Sequence, residues 1–167
     1  MDKLFELKPF GYLAEVELAW AAGLVDGEGC ITITEAKPSG QYKSPRFNLV
    51  LIVTNTHEPT IRRLAEMFGI GSIRCDKGGG NEADAWRWSV SRRQAGWVIE
   101  ALHPYIFTKS KDAELALEYC RLDNTGACRS GVPDWLNHRR SEIRHKIRVG
   151  KPQRIGPEKY KNNGHFT

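Results

Sequence analysis

Residues 18–31 read LAWAAGLVDGEGCI. Two carboxylates, Asp26 and Glu28, stand two positions apart among Gly23, Gly27 and Gly29, directly after a run of alanine, glycine and leucine. Acids at a helix end invite something positive. Small residues along a helix invite something to pack against its backbone very closely. The rest of the chain has to explain what positions these groups and what they meet.

The elements around this stretch follow from pattern. A first helix is expected over about residues 12–25, after Pro9 and Gly11, stopping at Asp26-Gly27-Glu28-Gly29, where glycine can adopt a left-handed cap. CITITEAK and RFNLVLIVTNT alternate as strands and form a long hairpin across KPSGQYKSP. HEPTIRRLAEMFG reads as a helix with Thr56 as N-cap, Pro59 in its first turn and Gly69 as its stop. GSIRCDKGGGNEADAWRWSVS is a second hairpin turning at Gly78–Gly80. Three helices follow: RRQAGWVIEALHPY, SKDAELALEYCRLD capped by Ser110, and PDWLNHRRSEIRHKIRV.

The order α-ββ-α-ββ-α-α-α predicts an α+β fold with one mostly antiparallel sheet, helices on one face and the other face free to bind. Residues 1–150 are read as one domain and 151–167 as a basic tail. After residue 133 there are nine Lys/Arg against three Asp/Glu; before it the balance is sixteen against seventeen. That asymmetry suits a polyanionic partner. The candidate contacts are Lys37, Lys43, Arg46 and Asn48 in the first hairpin and Arg74, Lys77 and Arg87 in the second. Lys111 and the last-helix residues Arg140 and Arg144, spaced i, i+4 with Arg148 beyond, extend the set. These side chains hydrogen-bond phosphates and base edges, and a two-stranded ribbon fits a major groove. An ordinary solvated sheet face is the alternative.

No apolar run reaches the roughly 18–20 residues of a membrane span. The N-terminal stretch, interrupted by Lys8, Pro9, Glu15 and Glu17, does not read as a signal peptide, which leads to the expectation of a cytoplasmic or organellar protein. Cys30, Cys75, Cys120 and Cys128 form no C-x-x-C pair, so buried or free thiols are expected rather than a zinc site, with a disulfide as the alternative.

AAGLVDGEG, residues 21–29, resembles the motif of the LAGLIDADG homing endonucleases. Gly23, Leu24, Asp26 and Gly29 match the signature, Ala22 matches its alanine, and Val25 and Glu28 are like-for-like changes. Ala21 departs from the leading leucine. The element order over residues 12–125 resembles the family's α-ββ-α-ββ-α fold with its saddle-shaped sheet, here with added C-terminal helices. One motif copy implies a homodimer whose motif helices pack side by side through Ala19, Ala22 and Gly23. The alternative use of those small residues is packing under the chain's own sheet.

The resemblance implies that Glu28 binds Mg²⁺, with Mn²⁺ as a substitute, assisted by the Gly27 carbonyl. These are hard oxygen ligands. Asp26 occupies the more structural acidic position. Asn55 resembles the residue that orders active-site water, and Lys109, or failing it Lys111, the basic residue near the scissile phosphate. Pro59 falls where some relatives carry a basic side chain. The implied activity is a staggered double-strand break in a long pseudo-palindromic DNA target by metal-dependent phosphodiester hydrolysis. An intron-encoded origin is the expected context. The competing readings are an RNA maturase acting on host-intron RNA and a non-cleaving DNA-binding protein of the same fold.

Overall fold

The computed structural model describes residues 10–80, 83–122 and 131–149; the expected tail from 151 onward and Cys128 lie outside them. The element order is α1 (Glu15–Glu28), β1 (Gly29–Ala36), β2 (Arg46–Asn55), α2 (Glu58–Phe68), β3 (Ser72–Asp76), β4 (Ala85–Ser91), α3 (Arg92–Leu102), a short 3-10 turn (His103–Tyr105), α4 (Ser110–Leu122) and α5 (Asp134–Val149). This is the α+β arrangement expected from the sequence.

The four strands form one antiparallel sheet in the order β1-β2-β4-β3. The second strands of the two hairpins lie side by side, so the hairpins meet at the sheet centre through Val53↔Trp88 and Thr54↔Arg87. Strand alternation divides the residues between two faces. Ile31, Ile33, Leu49, Leu51, Val53, Trp88 and Val90 point inward and are buried beneath the helices. Thr32, Thr34, Asn48, Ile52, Thr54, Arg87 and Arg74 take the opposite face, which no helix of the described residues is needed to bury.

The core is aromatic at its centre. Phe68 stacks on Trp88 with ring centroids 5.6 Å apart and meets Phe10 edge-on at 4.9 Å. The Trp88 indole N–H donates to the Ile70 carbonyl at 2.9 Å, so its polar atom is not stranded. Each such ring contributes roughly 1.5–3 kcal/mol of burial.

α5 corrects one expectation. The spacing of Arg140 and Arg144, with Arg148 beyond, predicts contacts to a polyanion. The helix instead packs Leu136, Arg140, Ile143 and Ile147 inward, and Arg140 is 3% exposed. Arg144 pairs with Glu35 of β1 at 3.1 Å. Arg139 binds Glu118 of α4, its Nε at 2.9 Å from the carboxylate. Arg144 therefore fastens the helix to β1 and Arg139 fastens it to α4, while the buried Arg140 does not present itself to an outside partner.

Candidate active site

α1 carries both acids of the opening stretch inside the helix. It continues to Glu28, beyond the expected stop, and β1 begins at the next residue without a loop. Gly29 makes this possible. Its backbone is extended (φ −82°, ψ 157°), not left-handed, and its N–H donates to the Val25 carbonyl. A Cβ on Gly29 would lie 2.5 Å from the Val25 carbonyl oxygen and 2.8 Å from the Val25 Cα. Any side chain there would drive the strand off the helix end, and with it Glu28.

The two acids have separate surroundings. The Asp26 carboxylate accepts three backbone N–H groups, from Phe107 (2.7 Å), Thr108 (3.1 Å) and Lys109 (3.0 Å). The Lys109 ammonium reaches back to the Asp26 carbonyl. Desolvation pushes the Asp26 pKa up, but the N–H groups of Phe107, Lys109 and Thr108, with the Lys109 charge, outweigh it and hold the pKa below its ordinary 3.8. Asp26 thus secures the start of α4, a duty the sequence assigned to Ser110. Ser110 instead donates to Glu114 at 3.4 Å.

Glu28 is exposed. It lies on the wall of an open, polar cleft of about 670 Å³ shared with Gly27, Thr54, Asn55, Ala85 and Arg87. Asn55, at the end of β2, is half-buried, and its side-chain oxygen accepts the His57 N–H at 2.8 Å. That bond fixes the turn into α2, whose N-cap is His57, not Thr56. Asn55 is itself part of the cleft wall. Lys109 is tied to the other acid by its ammonium and backbone, and is not part of the cleft wall.

The cleft opens onto the outer sheet face. Arg87 sits between Thr54 and Arg74 in register. Arg74 and Arg87 share the Asp76 carboxylate, at 3.0 and 2.6 Å. Arg46 and Asn48 occupy the same face toward the far end of the first hairpin, and Lys37 and Lys43 are exposed in its loop. Lys77 pairs with Asp84 at 2.7 Å across the second hairpin, and Lys111 is exposed on the first turn of α4. Sequence reasoning grouped Arg87 with the other sheet cations and missed its place in the cleft wall. The signal was absent, because the β2–β4 register joins residues 33 positions apart in sequence.

Along α1, Ala19, Gly23 and Gly27 are exposed at i, i+4, i+8, and a Cβ on either glycine would meet nothing within 4 Å. Ala22 differs from the expectation. It is fully buried and packs inside its own chain, the alternative use of small residues weighed for this helix.

The sequence model of the LAGLIDADG endonuclease family matches residues 21–117, more than half of the chain. The chain belongs to the LAGLIDADG endonuclease family. No curated protein matches its sequence. Among solved LAGLIDADG structures, I-CvuI, a homing endonuclease in complex with the I-CreI target in the presence of Mg, is 19% identical, with 84% of this chain and 86% of that one covered at a TM-score of 0.68. The archaeal intron-encoded homing endonuclease I-Vdi141I, complexed with DNA, is 14% identical over 83% and 86%, with a TM-score of 0.69. I-SmaMI bound to cleaved DNA is 22% identical, and the chain spans 81% of its own length but 45% of that protein, at 0.64. At these identities the likeness concerns the fold, and within it the LAGLIDADG helix here is α1, with Glu28 at its end.

Proposed function

We propose that this LAGLIDADG chain is a site-specific DNA endonuclease that works as a homodimer. The observation that carries the reading is the placement of Glu28: at the exposed end of a helix lined by Ala19, Gly23 and Gly27, beside a polar cleft that runs into a basic sheet face. The exposed glycines have no neighbour of their own to accommodate, so they suit a second backbone at close range. The isologous partner is the same stripe on another copy. Coverage of less than half of I-SmaMI is in keeping with a chain that supplies one half of a larger nuclease unit.

The residues fit a divalent cation in the dimer. Among the described residues no group of three His, Cys, Asp or Glu could hold a metal, so a single copy offers Glu28 with little beside it. Two copies meeting along α1 would bring two Glu28 carboxylates and two Gly27 carbonyls to one place. These are hard oxygen donors at the negative ends of two helix dipoles. Mg²⁺, or Mn²⁺ in its place, supplies Lewis acidity toward phosphate and water when bound there.

The chain's own residues do the rest. Glu28 holds the cation. Asn55 donates its amide to water and keeps it oriented. Lys109 supports the helix end that carries Glu28. Arg46, Asn48, Arg74 and Arg87 on the outer face, with Lys37, Lys43, Lys77 and Lys111 around it, contact phosphates and base edges along a pseudo-palindromic duplex. A staggered double-strand break is the expected product, one strand from each half.

The test is cleavage of a plasmid carrying the gene's own insertion site. Linearisation with Mg²⁺ that disappears with EDTA and in Glu28→Gln supports the endonuclease. Tight binding of that site without nicking in Mg²⁺ or Mn²⁺ points to a DNA-binding protein instead.

A further inference from the structure

We propose that Arg87 is the residue that grips the phosphate next to the cleavage centre, and that Asp76 is its positioning residue. This rests on the endonuclease reading and goes beyond a general basic face. Arg87 is the one cation among the described residues on the wall of the cleft that holds Glu28 and Asn55.

The other basic groups are elsewhere. Arg46 pairs with Ala36 at the far end of a ladder whose near end is Gly29↔Val53. Seven residues of strand put it roughly 23 Å from the Glu28 end. The Lys109 ammonium is occupied by the Asp26 carbonyl. A phosphate in the cleft beside Glu28 therefore has Arg87 as the cation on its wall.

The guanidinium is held but not used up. One nitrogen, Nη2, lies 2.6 Å from Asp76 Oδ2 and Nε is buried, yet the side chain as a whole is still 42% exposed. The other Asp76 oxygen is spent on Arg74 at 3.0 Å. Two cations on one carboxylate leave a net positive charge, and the shared acid fixes the guanidinium plane before DNA arrives. A pre-oriented planar fork matches a phosphate's paired oxygens better than a free lysine does. Removing one such preorganised donor costs on the order of 100-fold or more in rate.

The probe is the duplex that the wild-type chain cuts best from a randomised library. Single-turnover cleavage is measured with Mg²⁺, and affinity with Ca²⁺. For Arg87→Gln the expected result is a rate about 100-fold lower with affinity changed by less than about tenfold. Arg87→Lys recovers part of the rate, and retained affinity in either variant shows that the fold is intact. Asp76→Asn lowers the rate in the otherwise wild-type chain but adds nothing on top of Arg87→Gln, which a merely structural role would not produce. Cleavage by Arg87→Gln at the wild-type rate overturns the assignment. So does full recovery on a duplex carrying a different base, which would make Arg87 a base reader. A wild-type chain that cuts no duplex in the library defeats the endonuclease reading itself, and this assignment with it.

Discussion

Asp26 and Lys109 are bound to each other twice: the Lys109 backbone N–H donates to the Asp26 carboxylate at 3.0 Å, and its side-chain ammonium donates to the Asp26 carbonyl. Residues 83 positions apart thus lock the end of α1 to the start of α4. The consequence is positional. Glu28 follows Asp26 by two residues, so whatever holds Asp26 aims Glu28.

Replacing Asp26 by Asn or Ala should therefore destabilise the fold by about 1–3 kcal/mol, because three backbone N–H groups lose a charged acceptor. Urea denaturation checks this. The folded pKa of Asp26 is depressed below 3.8, so its contribution is fully present above that value and is lost as pH falls through the folded pKa. The difference between wild type and Asp26→Asn should narrow below about pH 4.

Gly29→Ala and Gly23→Leu should part company. The first drives a Cβ into the Val25 backbone and should lower the melting temperature of the chain. The second enters open space and should leave the folded subunit as stable as wild type, since leucine is a better helix former than glycine by several tenths of a kcal/mol. Yet Gly23→Leu should abolish the dimer in sedimentation velocity, because the side chain stands where a second helix must come.

Arg140→Ala and Arg148→Ala should also differ. Arg140 is buried against the core side of α5, and its loss should cost more than about 1 kcal/mol in unfolding experiments. Arg148 is exposed, and its loss should be within about 0.5 kcal/mol of neutral. Neither should reduce the salt dependence of DNA binding as much as Arg46→Ala, measured by the slope of affinity against salt concentration.

Much of the architecture was readable because its signals are local. The strand alternation in ITITEA and NLVLIVT, the glycine stop at Gly69 and the order of hairpins and helices each depend on neighbours in sequence. Glu28 stood out for the same reason, as an acid at the end of a small-residue helix. What escaped depends on pairing across long stretches of chain. Arg87 enters the cleft only because Thr54 pairs with it, and Asp26 becomes the anchor of α4 only because residues 107–109 return to it. Periodicity was ambiguous where it seemed most informative. Arg140 and Arg148 share a stripe, but a period of 3.6 does not say which end of the stripe turns inward. Ala19 and Ala22 are three apart on one helix, and one faces outward while the other is sealed in the core.

The central claim is that two copies of Glu28 form one cleavage centre. Mixing wild-type chain with Glu28→Gln, allowing subunits to exchange, and measuring double-strand cleavage of a target duplex at constant total protein tests it most directly. If each break needs an acid from both copies, an equal mixture should retain roughly one quarter of the wild-type activity, the fraction of dimers with two intact subunits. Activity that falls only in proportion to the wild-type fraction, to about one half, would show that a lone subunit cuts both strands and would contradict the account.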